Sequence, residues 1–196
     1  LNWGLSHTKS EFIAIFDADF CPQPDFLLKA IPHLVENPQI GMVQTRWTYL
    51  NADYSLLTQA QAVLFDGHFA IEQVARCRSG LLMNFNGTGG VWRRPCIIDA
   101  GGWADDTLCE AFDLSFRAQL AGWKFLYLRD VTVPAELPPQ ITAFKCQQFR
   151  WAQGSAQTLR KLALPVLRSK NLTWRKKGLG VLHLSSYLAH ALLVFH

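Results

Sequence analysis

Three absences in this sequence of 196 residues exclude common classes of protein. The five cysteines are an odd number without a Cys-x-x-Cys pair, so neither a disulfide framework nor a structural zinc site is indicated, which fits a reducing compartment. No Gly-Lys-Ser/Thr triplet and no dinucleotide-binding fingerprint occur. The chain also begins without methionine, signal peptide or polar leader and ends in an apolar stretch, so we expect it to be a fragment of a longer protein.

Negative charge is missing from the C-terminal part of the chain. All 15 acidic residues lie at or before Glu136, whereas nine of the 19 Lys and Arg residues follow it. A basic tail fits either nucleic acid or an anionic membrane surface. Here it leads into the apolar segment 178–196, a pattern typical of the cytoplasmic side of a membrane helix. Because about 20 residues span a bilayer, we interpret this segment as the start of a spanning helix rather than an interfacial one, and expect no nucleic-acid partner.

The stretch from Phe12 to Asp19 predicts a strand that ends in two acids. Five apolar residues run into Asp17 and Asp19, as expected for a short strand buried on both faces and followed by a loop. Ligands of open α/β sheets collect beyond the carboxyl ends of such strands, where two carboxylates could meet a divalent cation and a phosphate. A loop that caps a helix starting near Asp25 is the alternative, and an Asp-x-Asp pair alone does not decide between them.

Hydrophobic periodicity predicts the other elements. The first two strands, joined by a helix, predict a right-handed βαβ crossover. Thr107 and Glu110 match a capping box, so Thr107 is the predicted N-cap of a helix that ends before Gly122. The predicted strands are 12–16, 40–45 and 123–128, and the other predicted helices are 25–36, 55–78 and an amphipathic helix after Pro139.

Two further segments hold candidate binding residues. Gly87 to Gly90 contains three glycines, which permit close approach of the backbone to a ligand or form a tight turn between strands. Gln147, Arg150 and Trp151 offer a guanidinium for a diphosphate and a flat apolar face for a sugar ring. A membrane-surface helix with an aromatic anchor explains the same three residues, so neither segment is decisive alone.

These segments, taken in order, resemble the motifs of membrane-bound, inverting family-2 glycosyltransferases, with the cellulose synthase and glucomannan synthase branch most similar. The resemblance covers essentially the whole chain. It implies an α/β fold of the GT-A type, truncated at its N-terminus, over residues 1–136, a basic amphipathic interface segment over 137–177, and the start of a membrane helix over 178–196. The motifs are Asp17-Ala18-Asp19, Val43-Gln44-Thr45-Arg46-Trp47, Phe85-Asn86-Gly87-Thr88-Gly89-Gly90, Cys109-Glu110-Ala111 at the Thr-Glu-Asp position, and Gln147-x-x-Arg150-Trp151.

The resemblance also implies a role for each motif. Mg²⁺ or Mn²⁺, hard cations that take oxygen ligands, would bind Asp17 and Asp19 and neutralise charge on the leaving nucleoside diphosphate. The residues implied for the donor diphosphate are Asp17, Asp19, Gln147 and Arg150. The residues implied for the acceptor are Trp151, Gly87 and Thr88.

One departure from the family pattern concerns the general base. The family takes the base from the Asp of Thr-Glu-Asp, and the matching residue here is Ala111, which cannot accept a proton. Glu110 and Asp113 are the neighbouring candidates, but at about 100° per residue they point about 100° and 200° away, unless the helix begins later. An engineered loss, a naturally impaired copy and a shifted register that uses Glu110 remain open. Our hypothesis is that the polypeptide binds donor but turns over poorly.

The leading functional hypothesis is an enzyme that moves a hexose from UDP-glucose or GDP-mannose to a growing β-glycan with inversion. A glycolipid-forming glucosyltransferase and a non-catalytic member that binds donor or glycan are the alternatives, the latter favoured by Ala111. The expected partners are a nucleotide sugar, a glycan or lipid acceptor, and the membrane. The expected location is membrane-anchored with a cytoplasmic catalytic domain, at the bacterial inner membrane or at the Golgi or plasma membrane of a eukaryote.

Overall fold

Four strands form one mixed sheet in the order β1-β3-β2-β4 in the computed structural model, which describes residues 1–187. The strands are β1 (Phe12–Ile15), β2 (Ile40–Tyr49), β3 (Gly90–Arg93) and β4 (Lys124–Ala135). The helices are α1 (Asn2–His7), α2 (Phe26–Glu36), α3 (Leu56–Asp66), α4 (Gln73–Arg78), α5 (Arg94–Asp99), α6 (Glu110–Leu120), α7 (Ile141–Arg168) and α8 (Trp174–Leu184). The predicted α/β fold is confirmed.

Strand β3 changes the predicted topology. It lies between β1 and β2 and is antiparallel to both, while β2 pairs in parallel with β4. The predicted βαβ unit therefore needs correction, because β1 and β2 run in the same direction without being neighbours. β3 fits between them because Gly90 has no side chain: a Cβ there would lie 2.8 Å from the Phe85 ring. Val91 and Trp92 then fill the space on the two faces of the sheet.

The prediction that the first strand is buried on both faces is wrong. Of the four residues of β1 only Ile15 is buried, and Ala14 is exposed. The cause is its position at the end of the sheet, where β3 is its one neighbour among the residues that the structure describes. Alternating side chains of the inner strands make the core: Met42 faces α5 and α6, and Val43 faces α2.

The predicted long helix 55–78 forms in three parts. Ser55 caps α3: its hydroxyl accepts from the Thr58 N–H at 3.2 Å, while the Thr58 hydroxyl accepts from the Ser55 N–H at 2.9 Å. A π-helical segment, Gly67–Glu72, then joins α3 to α4. Segments of this kind are rare and occur often at functional sites.

Helix α6 begins later than its sequence predicts. Its N-cap is Cys109 rather than Thr107, and no side chain caps it. The preceding loop is held by α7 instead, because the Leu108 N–H donates to the Gln157 carboxamide at 2.9 Å. The capping-box prediction is therefore wrong. The predicted end is confirmed, since Gly122 has a φ of 102° just after the last turn.

The amphipathic helix predicted after Pro139 is confirmed as α7, which is 28 residues long and packs against α8. The predicted boundary between residues 177 and 178 falls inside α8, whose His183 and Leu184 are buried. Within residues 1–187, none of the helices is both long and apolar enough to cross a membrane. The rest of the predicted membrane segment, 188–196, lies outside the described residues.

The crossing of α6 and α7 provides a test of the fold. A Cβ on Gly154 would lie 2.8 Å from the Cys109 backbone nitrogen, so Gly154→Ala should destabilise the protein by about 1–3 kcal/mol through overpacking. Gly178→Ala is the matched control: a Cβ there meets nothing within 4 Å, and in a helix it should stabilise by about 0.5–1 kcal/mol. Urea unfolding measures both, and equal effects of the two substitutions contradict this packing.

Candidate functional site

Asp17 and Asp19 lie in an exposed turn directly after β1, as predicted. The Asp17 N–H donates to the Thr88 hydroxyl at 2.8 Å, and the Gly89 N–H donates to the Ile15 carbonyl at 2.9 Å. The glycine-rich loop, residues 86–90, is therefore bonded to the end of β1. This contact fixes the backbone of Asp17 and leaves both carboxylates open to solvent.

Gln44, a wholly buried residue of β2, supports the glycine-rich loop from inside the sheet. Its side-chain nitrogen donates to the carbonyls of Thr88 and Gly89, at 3.1 and 3.0 Å, and its oxygen accepts from the Asn86 N–H at 2.9 Å. Gly87, with a φ of 91°, makes the turn between these contacts. Gln44 had no role in the sequence analysis beyond its motif; a polar residue inside an apolar strand was the available signal.

Charged residues from three parts of the sequence influence the pKa of Asp17. Partial burial raises its pKa first, and the negative charges of Asp19 and Glu110 raise it further, while Arg150 opposes them. Glu110 is the first residue of α6, and Arg150 belongs to α7. The structure thus brings together four of the residues implied by the family resemblance, and we refer to Asp17, Asp19, Glu110 and Arg150 as the acid cluster.

Helices α6 and α7 are brought together at Cys109 and Gly154. The Cys109 thiol lies 3.8 Å from the Trp151 carbonyl, and burial raises the pKa of this thiol to about 11. Contact is possible because residue 154 lacks a side chain. The start of α6, which contains Glu110, therefore lies beside the turn of α7 that carries Arg150.

The three named residues of the Gln-x-x-Arg-Trp motif differ in exposure and in contacts. Arg150 is exposed, and the Oε1 of Gln147 is buried without a hydrogen-bond partner among the residues described. Trp151 is half-buried, with its ring centroid 5.8 Å from that of Phe65. Part of the predicted sugar platform is thus covered by α3, and the proposed acceptor role of Trp151 stays a prediction.

Asp113 has a structural environment. It is wholly buried, its Oδ2 lies 2.6 Å from a guanidinium nitrogen of Arg117, and its Oδ1 lies 3.0 Å from the Lys161 ammonium. Arg117 lies four residues further along α6, a spacing at which side chains of one helix meet, whereas Lys161 belongs to α7. Of the two acids proposed near the base position, only Glu110 acts on the pKa of Asp17. The geometry places Asp113 in the α6–α7 interface.

The fit of a divalent cation depends on Asp17 and Asp19. Among residues 1–187 no group of three or more His, Cys, Asp or Glu side chains could hold a metal alone. Two exposed carboxylates could still bind Mg²⁺ or Mn²⁺ if oxygens of a bound ligand complete the coordination. The negative charges of Asp19 and Glu110 beside Asp17 suit a cation, which would relieve their mutual repulsion.

The fold, a mixed sheet whose end strand leads into two exposed acids beside a glycine-rich loop, is that of GT-A-type glycosyltransferase structures. Two solved structures share this fold. A mannosyltransferase, PcManGT from Pyrobaculum calidifontis in complex with GDP-Man and Mn²⁺, matches with a TM-score of 0.69 and 22% identity over 96% of this chain and 48% of that chain. TarS 1-349 from S. aureus, in complex with UDP-GlcNAc, matches with a TM-score of 0.62 and 14% identity over 95% of this chain and 50% of that chain.

The chain belongs to glycosyl transferase family group 2, whose profile matches residues 12–196, and the expected family is confirmed. It is 50% identical over 167 residues to probable glucomannan 4-beta-mannosyltransferase 7 of Oryza sativa subsp. japonica, covering 85% of this chain and 28% of that protein. It is 47% identical over 167 residues to glucomannan 4-beta-mannosyltransferase 2 of Arabidopsis thaliana, covering 85% and 31%. The chain thus spans about a third of the length of these relatives.

The environment of Asp113 predicts a loss of stability on substitution. Asp113→Asn should destabilise the protein by about 3 kcal/mol, because it leaves Arg117 and Lys161 without their shared carboxylate in a buried interface. Chemical denaturation measures the loss. The matched control is Asp130→Asn, at an exposed position, which should change stability by less than about 0.5 kcal/mol. An Asp113→Asn protein as stable as wild type contradicts the assigned role.

Proposed function

We propose that this chain is the donor-binding and transfer region of a hexosyltransferase that uses a nucleotide-activated sugar. The observation that carries the proposal is the acid cluster, which combines cation-binding carboxylates with a guanidinium suited to a diphosphate. The relatives named as glucomannan 4-beta-mannosyltransferases favour GDP-mannose as donor and a β-linked glycan as acceptor, with inversion at the anomeric carbon. UDP-glucose and a lipid acceptor are the alternatives that assays with labelled donors separate.

In the proposed donor complex, Asp17 and Asp19 would hold a divalent cation and Arg150 would contact the diphosphate. The cation would stabilise negative charge on the leaving nucleoside diphosphate. Thr88 keeps the Asp17 backbone in place through its hydroxyl. The glycine-rich loop, bonded beside Asp17, offers backbone for close contact with a bound sugar.

Transfer of the sugar also needs a group that accepts the proton of the attacking hydroxyl. Ala111 occupies the family's base position as the second residue of α6, where it is buried in the cluster that includes Ile15. Glu110 precedes it, is only partly buried, and interacts with Asp17. We therefore propose that donor binding is intact, that Glu110 is the remaining candidate base, and that transfer is slow.

Attachment to a membrane through the C-terminal segment also remains a proposal. Its support is the concentration of nine basic residues after Glu136, without acidic residues among them. Such a charge pattern favours an anionic, cytoplasmic membrane surface.

The donor site predicts a metal-dependent loss on substitution of its acids. Asp17→Asn and Asp19→Asn in the intact protein should each weaken Mn²⁺-dependent binding of GDP-mannose at least about tenfold, because each removes a charged oxygen ligand. Calorimetry with and without Mn²⁺ measures this. Asp25→Asn, which removes an exposed acid paired with Lys29, is the control and should bind as wild type. Donor binding that survives both site substitutions contradicts the assignment.

The base position predicts a gain of activity. Ala111→Asp in the intact protein should raise the rate of sugar transfer by roughly 10²–10⁴-fold, the usual contribution of a general base, while donor affinity changes little. Radiolabelled donor and a β-glycan acceptor measure the rate. Ala111→Asn is the matched control, since it has nearly the same shape but cannot accept the proton, and its rate should equal wild type.

The same assay distinguishes an enzyme from a non-catalytic binding protein. The latter is the second candidate function, and Ala111 favours it. Residual transfer by wild type that Glu110→Gln abolishes supports Glu110 as base. Donor binding without product in wild type, with product in Ala111→Asp, indicates a binding protein that lost its chemistry. An Ala111→Asp protein that transfers no faster than wild type contradicts our account of this position.

A further inference from the structure

A charged polar network lies beside the proposed donor site, centred on Glu72 at the end of the π-helical segment. One carboxylate oxygen of Glu72 lies 2.8 Å from Nδ1 of His68. The other accepts from Nε of Arg76 at 2.7 Å and lies 3.3 Å from Nδ1 of His183. The carboxylate thus joins the π-helical segment, α4 and α8. None of these residues belongs to the acid cluster.

The opposite nitrogens of the two imidazoles meet a pair of asparagines. His68 Nε2 lies 3.0 Å from the Asn86 side-chain oxygen, and His183 Nε2 lies 3.0 Å from that of Asn84. The two asparagines are bonded to each other, because the Asn84 amide donates to Asn86 at 2.7 Å. Asn86 is the first residue of the glycine-rich loop, so the contacts of both imidazoles lead to the start of that loop.

The path continues from Asn86 to Asp17 through two short steps. The Asn86 N–H is fixed by Gln44 at 2.9 Å, and two residues later Thr88 accepts the Asp17 N–H at 2.8 Å. Gln44 fixes the loop backbone, whereas the imidazoles fix the asparagine side chains. Gly87 and Gly89 have φ values of 91° and 69°, so the loop backbone can turn between these contacts.

Burial and charge favour a fixed network over a mobile one. His183 is 5% exposed and lies against the rings of Phe112 and Phe116, and burial lowers its pKa. Burial alone would raise the pKa of Glu72, but hydrogen bonds from His183 and His68 outweigh it and hold that pKa far below its ordinary value. Glu72 is therefore an anion at neutral pH, and hydrogen bonds to a charged acceptor are among the stronger ones in proteins.

We infer that Glu72 is a positioning residue for the donor site, which holds the glycine-rich loop against Asp17 through His68, His183 and the two asparagines. This inference rests on the proposed function, because the loop matters for binding only if Asp17 binds donor. Glu72 contacts neither donor nor cation and acts through other residues. His183 extends the same linkage to α8, so that the loop and the C-terminal helix share one anchor.

The test uses Glu72→Gln in the intact protein, with Glu36→Gln, an exposed glutamate of α2, as the matched control. Hydrogen exchange of peptides covering residues 15–20 and 84–89 should become roughly tenfold faster in Glu72→Gln, and GDP-mannose should bind roughly tenfold more weakly. The control should match wild type in both. His68→Ala is the second variant: it removes both ring nitrogens, and with them the link to Asn86, and leaves the packing of His183 in place, so it should fold even if Glu72→Gln does not.

A double-mutant cycle with Thr88→Val separates positioning from general stability. If Glu72 acts through Thr88, Glu72→Gln should have no further effect on donor affinity once the Thr88 hydroxyl is gone, because residues in one network are not additive. Additive effects, or unchanged exchange and affinity in folded Glu72→Gln and His68→Ala, overturn the inference. A wild-type protein that binds no nucleotide sugar, with the exchange difference present, contradicts the proposed function but supports the linkage.

Discussion

The hydrogen bond from the Asp17 backbone to the Thr88 hydroxyl is the contact on which the site depends. It joins the end of β1 to a loop 71 residues later, and Gln44 supports that loop from inside the sheet. A buried amide in a core strand is costly unless its bonds are made, and here three go to the loop and one to the Thr45 carbonyl. The polar residue that the core tolerates is therefore the one that organises the proposed donor site.

The position of Glu110 depends on an ion pair outside the acid cluster. Asp113 joins α6 to Lys161 of α7, and the two helices meet closely where Gly154 faces Cys109. That crossing sets the start of α6 and carries Glu110 toward Asp17. The acid cluster is thus the product of two structural constraints, the loop on β1 and the α6–α7 crossing, which share no residue. Either one can be weakened by substitution while the other is retained.

Sequence reasoning identified the acid cluster but not the contacts that build it. Asp17, Asp19 and Arg150 were predicted from the family resemblance as residues for a cation and a diphosphate, and Glu110 was a candidate base. In the structure the charges of Asp19, Glu110 and Arg150 all act on Asp17. β3 was missed because four residues beside a glycine-rich turn give too little periodicity, and the start of α6 was misplaced because a bond from α7 replaces the capping box. The links made by Gln44 and Glu72 depend on distant pairings that one sequence does not show.

Ala111 is the residue at which the proposed site departs from the family pattern. Its side chain is buried in the apolar cluster that includes Ile15, directly after Glu110 at the start of α6. Alanine cannot accept a proton, so under the proposed function Glu110 is the remaining candidate base. The hydrogen bonds that fix Asp17 and the glycine-rich loop do not involve residue 111. Under the proposed function, donor binding and sugar transfer therefore depend on different residues of this chain.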